Sequence, residues 1–163
     1  MIKHALPPIA RPDARVLVLG SLPGDASLAA SQYYAHPQNA FWRLMAEVTG
    51  VPLPALAYAD RLAAMHRARV ALWDTIAYAR RPGSLDGAIA DAAPADLAGL
   101  VRRLCELRAV AFNGQLAAKR GTALLAGCGL VLIALPSSSP AHTMAFATKR
   151  AAWMQLQGWL DAA

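Results

Sequence analysis

Cysteine is nearly absent from this chain: its 163 residues include two, Cys105 and Cys128, and no Cys-x-x-Cys motif. This scarcity excludes a disulfide framework and a cysteine-based zinc site. Both cysteines lie in apolar stretches, so we expect them in the core. The four histidines show no spacing typical of metal ligands. We therefore expect no metal and no cofactor.

Acidic residues are also scarce, with 10 Asp plus Glu against 16 Lys plus Arg, a formal net charge of +6. Such an excess favours a polyanionic partner, nucleic acid above all, or an anionic membrane surface. Long hydrophobic runs are missing: the apolar stretch at residues 122–135 is shorter than the ~20 residues that cross a bilayer. The first residues show no signal-peptide pattern. We expect a cytoplasmic protein that does not enter the membrane.

What the chain does contain is hydrophobic residues, at 56% of the total, with 16% charged. This composition argues against disorder and predicts one globular domain over residues 1–163. Four short apolar runs carry β-branched residues and end at Gly, Asp, Asn or Pro: residues 16–19, 70–73, 109–112 and 130–135. Runs that are apolar throughout are typical of parallel strands covered on both faces.

Helical patterns lie between the predicted strands. Apolar residues at positions 97, 100, 101 and 104 follow helical spacing, with Pro94 expected in the first turn. Trp153, Leu156 and Leu160 predict a C-terminal helix. Alternating strands and helices predict an α/β fold, a three-layer α/β/α sandwich with a central four-stranded parallel sheet.

Ligands of such folds bind at the edge where the strands have their carboxyl ends. The loops expected there are GSLPG at residues 20–24, continuing to YYAHPQNAFW at 33–42, then DTIAYARRPGSLDG at 74–87, NGQ at 113–115 and PSSSPAHT at 136–143. We expect Trp42 to pack in the core and Asp86 to stabilise its own loop. Arg80 and Arg81 are expected in a loop, either contacting phosphate or solvated.

The ordered combination GSLPG, YYAHPQNAFW, FNG and LPSSSPAH resembles the uracil-DNA glycosylase superfamily, and most closely its hypoxanthine-DNA, or deoxyinosine, glycosylase branch. The resemblance spans nearly the whole chain. It implies a monofunctional DNA glycosylase that flips the damaged base out of the DNA and then hydrolyses the N-glycosidic bond. The substrate would be double-stranded or single-stranded DNA with a damaged base, and the enzyme a monomer.

The resemblance also implies roles for single residues. Asn39 corresponds to the residue that positions the attacking water, since the position where many relatives carry Asp or Asn is here Leu22. The base-binding positions are Gly20, Ser21, Leu22, Pro23, Phe41 and Asn113. The loop that grips the DNA backbone and enters the duplex matches Ser137, Ser138, Ser139, Pro140 and His142.

Two further residues are candidates for catalytic support. His36 could stabilise the departing base or form a structural His-Pro turn. Asp74 could hold a water, orient His36 or cap a local turn. Three alternatives to a hypoxanthine glycosylase stay open: a uracil glycosylase, a catalytically silent nucleic-acid-binding module, and a hydrolase that pairs a serine of residues 137–139 with His142.

Overall fold

A four-stranded parallel sheet forms the centre of the molecule, in a computed structural model that describes residues 2–161. Its strands, numbered in chain order with those of a second sheet described below, are β2 (Val16–Gly20), β3 (Val70–Asp74), β6 (Ala109–Asn113) and β7 (Val131–Leu135). They lie side by side in the order β3-β2-β6-β7. The predicted strands are confirmed, with one change that matters for the site: β2, β3 and β6 each include one more residue, so Gly20, Asp74 and Asn113 are strand ends.

Helices cover both faces of this sheet, as predicted. Val16, Val18, Val70 and Leu72 point to one face, while Leu17, Leu19, Ala71 and Val110 point to the other, and each set belongs to its own buried cluster. Alternate residues of a strand face opposite sides, so a run that is apolar throughout supplies two cores at once. The three-layer sandwich is therefore confirmed.

The helices are α1 (Asp25–Ala30), α2 (Phe41–Thr49), α3 (Tyr58–Arg67), α4 (Leu97–Arg103), α5 (Gln115–Leu124), α6 (Phe146–Trp153) and α7 (Leu156–Asp161). Short 3-10 helices occupy Leu53–Ala55 and Asp86–Ala88. The longest helices between residues 2 and 161 have ten residues, and none has the length and hydropathy of a membrane span.

A second, antiparallel sheet was not predicted. Its order is β1-β4-β5, formed by Ile2–His4, Ile76–Arg80 and Ala90–Pro94. The prediction of Arg80 in a loop is therefore wrong, because Arg80 ends β4. Strand β5 is rich in alanine and mostly solvent-accessible, so it lacks the apolar signal that identifies a strand.

Three local expectations are corrected. Pro94 ends β5 rather than beginning α4, and the α4 N-cap is Asp96, whose carboxylate accepts the Gly99 N–H at 3.0 Å. The predicted C-terminal helix is two helices, interrupted after Trp153. Cys105 and Cys128 are exposed rather than buried, because both lie in turns that follow α4 and α5.

Candidate functional site

A cavity of about 830 Å³ opens at the carboxyl edge of the parallel sheet. Its floor is formed by the last residues of three strands, Gly20, Asp74 and Asn113, and by Tyr34. Its walls come from the loops predicted to gather here: residues 20–24, 33–39, 84–88 and 137–142 all contribute. The sequence therefore identified the correct edge and most of the lining.

The turn at residues 20–24 is held in place by the side chains of Asp86 and Arg81. Ser21 Oγ donates to Asp86 Oδ1 at 2.6 Å. The Arg81 guanidinium, which is 2% exposed, donates to the carbonyl oxygens of Leu22 and Pro23 and, at 3.1 Å, to that of Gly83. Arg81 lies in a loop, as predicted, directly after the strand that ends at Arg80. Its guanidinium is neither solvated nor available to phosphate, because it is buried and bound to these carbonyl oxygens.

Leu22 offers the cavity no polar group. Its side chain is buried and packs with Ile76 and Ala79 in a small apolar cluster beside the second sheet. An aliphatic group in this place cannot accept a hydrogen bond from water. Asp86, expected to stabilise its own loop, instead supports the Ser21 turn through the bond described above. Arg80 is exposed and pairs with Asp91 at 3.5 Å.

Asp74 and Tyr34 place two polar groups beside Gly20. A Cβ atom at Gly20 would lie 2.7 Å from Asp74 Oδ1 and 3.1 Å from Tyr34 Oη, so only glycine leaves room for both. Asp74 Oδ2 and Tyr34 Oη are buried, and neither has a hydrogen-bond partner among residues 2–161. Buried polar groups are seldom left unpaired in folded proteins. Both atoms are therefore candidates to receive a ligand.

The charge state of Asp74 follows from this environment. Burial, followed by repulsion from the Asp86 carboxylate, raises the pKa of Asp74 to about 7, although the Arg81 guanidinium opposes the change. Burial likewise raises the pKa of the Tyr34 hydroxyl well above its ordinary value, with the nearby Asp74 charge as the second cause. Tyr34 is neutral, and Asp74 exchanges its proton near neutral pH.

Phe41 does not line the cavity. Its side chain is fully buried, and its ring is stacked on the Tyr34 ring with centroids 3.9 Å apart. Tyr34 therefore covers the face that a base would need, and the prediction that places Phe41 at the cavity surface is wrong. Trp42 packs edge-on against Phe41 and donates its Nε1–H to the Tyr33 carbonyl, as expected of a core residue.

Asn39 lines the cavity at the entrance to α2. Its Oδ1 accepts the Phe41 N–H at 3.0 Å, one of the free backbone donors at the start of that helix. An oxygen must face this N–H, which fixes the orientation of the amide. The second lone pair of Oδ1 and the Nδ2 group have no partner among the described residues. The side chain is thus held in place with hydrogen-bonding capacity left for a ligand or water.

Asn113 is joined by two hydrogen bonds to the loop of residues 137–142, called the serine loop below. Its Nδ2 donates to Ser138 Oγ and its Oδ1 accepts from Ser138 N, both at 2.8 Å. Ser138 O in turn accepts the Ala40 N–H at 3.0 Å, next to Asn39. Asn113, the serine loop and the Asn39 segment therefore form one connected unit.

The serine loop is organised by its own backbone. Ser137 Oγ accepts the Ser139 N–H, and Ser139 Oγ accepts the Ala141 N–H. No serine hydroxyl of residues 137–139 bonds the His142 side chain, which is exposed. The hypothesis of a hydrolase that pairs one of these serines with His142 is therefore wrong, since a nucleophilic serine needs its base within hydrogen-bond reach. Pro140 and His142 lie on the cavity rim.

His36 forms a turn. Its Nδ1 accepts the Gln38 N–H at 3.1 Å, and its carbonyl oxygen accepts the Asn39 N–H at 3.0 Å. The neutral ring consequently carries its proton on Nε2, and the imidazole remains exposed at the cavity wall. No hydrogen bond joins His36 to Asp74 among the described residues, so the idea that Asp74 orients His36 is wrong.

Sequence reasoning missed two residues of this site. Tyr34 was noted only as one of several aromatics, although it adopts a left-handed backbone (φ 53°), a conformation that costs a tyrosine roughly 1–2 kcal/mol. Lys149 on α6 is buried and its Nζ donates to the Ser139 carbonyl at 3.1 Å. Nothing in the local sequence signals either contact, since both depend on tertiary packing.

Within the described range of the chain, no group of three or more His, Cys, Asp or Glu side chains is placed to hold a metal ion. The polar groups around the cavity are amides, hydroxyls, the imidazoles of His36 and His142 and the carboxyls of Asp74 and Asp86. This set is suited to hydrogen bonding with an uncharged planar molecule.

Comparisons with known proteins agree with this geometry. The family model described as the uracil DNA glycosylase superfamily matches residues 7–163. Two relatives are each named hypoxanthine DNA glycosylase. The one from Methanosarcina acetivorans is 37% identical, covering 94% of this chain and 96% of its own. The one from Methanosarcina barkeri is 34% identical, covering 95% and 98%.

A solved structure is similar over the same extent. The solution NMR structure of a candidate uracil DNA glycosylase from Methanosarcina acetivorans has a TM-score of 0.89 and 35% sequence identity. The match covers 99% of this chain and 100% of that one.

Proposed function

Because the chain belongs to the uracil DNA glycosylase superfamily, we propose that it is a monofunctional DNA glycosylase that excises hypoxanthine from DNA. The observation that carries this proposal is the cavity at the sheet edge, lined by amides and hydroxyls, in a chain that is 34–37% identical over nearly its full length to proteins named hypoxanthine DNA glycosylase. A base inside a duplex cannot reach such a cavity, so the nucleotide must be extruded.

Asn39 is the proposed catalytic residue. With one lone pair of Oδ1 bound to the Phe41 N–H, the other lone pair can accept a hydrogen from a water molecule and direct the water oxygen at C1′ of the flipped nucleotide. An amide is a weak base, and a weak base suffices where bond cleavage precedes water attack. Cleavage of a glycosidic bond passes through an oxocarbenium-like transition state, which is strongly electrophilic.

The flipped base is proposed to lie on the cavity floor, against Gly20 and the Tyr34 ring, with Asn113 at its edge. Tyr34 takes the stacking role first assigned to Phe41, and Phe41 supports the Tyr34 ring from behind. Ser21, Leu22 and Pro23 supply the backbone of the adjoining wall.

The serine loop is proposed to grip the DNA backbone and enter the duplex at Pro140 and His142. Its rigidity comes from Asn113 and from Lys149, which hold Ser138 and Ser139. With this loop role, Lys149 is not available as the nucleophile of a lyase, which is why we expect hydrolysis alone. We further propose that the protein acts as a monomer in the cytoplasm.

The test is an excision assay on end-labelled oligonucleotides that carry one deoxyinosine, deoxyuridine or deoxyxanthosine, followed by alkaline cleavage of abasic sites. We expect scission foremost at deoxyinosine, in wild type but not in Asn39→Ala. Scission mainly at deoxyuridine would favour the uracil-specific alternative. DNA binding without scission of any substrate would favour a silent binding module.

A further inference from the structure

The carboxyl group of Asp74 has features that water positioning by Asn39 does not require. It lies on the cavity floor next to Gly20, its partner in the register of β2 and β3. It is 4% exposed, and its Oδ2 has no hydrogen-bond partner among residues 2–161. The nearest cation, Arg81, donates to backbone carbonyls instead. A buried carboxyl without a donor or cation is stable in its neutral form.

The groups that act on Asp74 come from several neighbouring segments, and together they favour the neutral acid. Burial and repulsion from the Asp86 carboxylate both disfavour a charge on Asp74, and they outweigh the attraction of the Arg81 guanidinium. Tyr33 and Tyr34 present neutral hydroxyls, because burial raises the pKa of each. At and below neutral pH the floor of the cavity therefore offers an O–H donor where the sequence alone indicates an acceptor.

Deamination changes a base at one position: an amino group, which donates hydrogen bonds, becomes a keto oxygen, which accepts them. A carboxylate on the floor would attract the amino group of undamaged adenine. A neutral carboxylic acid can donate to the keto oxygen of hypoxanthine. For a base whose edge meets this carboxyl, the protonation state of Asp74 would therefore decide between adenine and hypoxanthine.

We propose that Asp74, as a neutral acid, donates a hydrogen bond to the keto oxygen that deamination creates, and so determines the selectivity of the cavity for a deaminated base. This inference rests on the proposed glycosylase function and deepens it. No proton has to be transferred. When the glycosidic bond breaks, its electron pair moves onto the base and partly onto this oxygen, so the same hydrogen bond strengthens as the base departs.

The experiment measures binding of two oligonucleotides whose 2′-fluorine resists glycosidic cleavage. One carries 2′-fluoro-deoxyinosine, and the other carries the purine analogue that lacks the 6-oxygen. Both are single-stranded, so that base pairing makes no difference. At pH 6 we expect wild type to bind the inosine strand with about tenfold higher affinity than the analogue strand, the difference expected for one buried hydrogen bond between neutral groups. This preference should be lost by pH 8.5.

Two variants separate the donor from the fold. Asp74→Asn keeps an N–H donor at every pH, so its preference should be the same at pH 6 and pH 8.5. Asp74→Leu has no donor and should show no preference, and its folding is checked by thermal unfolding. A wild-type preference that is unchanged or larger at pH 8.5 would overturn the proposal, as would a preference retained by Asp74→Leu.

Single-turnover excision of deoxyinosine is followed in parallel. If excision falls above pH 7 in wild type but not in Asp74→Asn, the acid form is the active one. A rate that rises with pH would instead assign Asp74 the role of a base. If no base is released at any pH, the proposed function fails, while the binding preference still tests the role of Asp74 independently.

Discussion

Gly20→Ala is the substitution that tests the geometry of the cavity floor most sharply. The new Cβ would lie 2.7 Å from Asp74 Oδ1 and 3.1 Å from Tyr34 Oη, whereas an ordinary contact begins near 3.4 Å. The Asp74 carboxyl must therefore move by several tenths of an ångström, within a strand end that is buried. Overpacking of this kind costs roughly 1–3 kcal/mol.

The expected effects on stability and on rate have different sizes. For a domain of this length, that cost lowers Tm by roughly 2–10 °C. Displacement of the floor groups, together with the methyl group in the space of the base, should slow excision by about 100-fold, the scale found for misplacements near 1 Å. DNA affinity should change little, because the serine loop is not touched.

Gly87→Ala and Gly158→Ala are matched controls. Gly87 lines the same cavity and Gly158 lies on α7, and a Cβ at either position meets nothing within 4 Å. Both should keep the wild-type rate. The assay is single-turnover excision from a deoxyinosine duplex, with thermal unfolding measured on each variant. A Gly20→Ala protein with the wild-type rate would refute the assignment of this floor as the base site.

Three further predictions follow from the same contacts. Asn39→Ala should reduce the single-turnover excision rate by at least ~100-fold, the low end for a positioned proton acceptor, with DNA affinity unchanged by fluorescence anisotropy; a large loss of affinity would contradict a water-positioning role. Asn113→Ala leaves the Ser138 N–H and hydroxyl buried without partners and should lower the free energy of unfolding by about 2–4 kcal/mol in urea titrations. Gln115→Ala, at an exposed position two residues along the chain, is the control and should unfold like wild type. Because the pKa of Asp74 is raised from 3.8 to about 7 in the folded state, the folded protein binds the proton more tightly than the unfolded chain, and the contribution of Asp74 to the free energy of unfolding falls as the pH rises from about 4 to about 7. Asp74→Asn should remove this pH dependence and be more stable than wild type at pH 8 by a few kcal/mol. Equal slopes of stability against pH in the two proteins would contradict the raised pKa.

The fold was predictable because its central strands carry a strong signal. Val16, Val18 and their neighbours are apolar at every position, as strands covered on both faces must be. The second sheet was missed because its strands lack this apolar signal. Strand β5 is exposed and alanine-rich, and β4 is largely determined by its pairing with β1 and β5. Pairing between distant segments leaves little trace in the local sequence.

The site was predictable in its location but less so in its contacts. Asn39, Asp74, Asn113 and the serine loop all line the cavity, since strand ends and loops are read directly from the chain. The exchange of Phe41 for Tyr34 was not predictable, because it depends on the left-handed backbone of Tyr34 and on the stacking of its ring over Phe41, which are set by tertiary packing. The roles of the lining residues, the single-domain organisation and the monomeric state stay predictions.

The most direct measurement of the central claim identifies the products of one reaction. A duplex with a single deoxyinosine is incubated with wild type, and both the small-molecule fraction and the intact strand are analysed by mass spectrometry before any alkali is added. We expect free hypoxanthine and an unbroken strand that has lost the base and gained a hydroxyl group at C1′, with neither product formed by Asn39→Ala. A strand broken without release of the base, or no free base at all, would contradict the account.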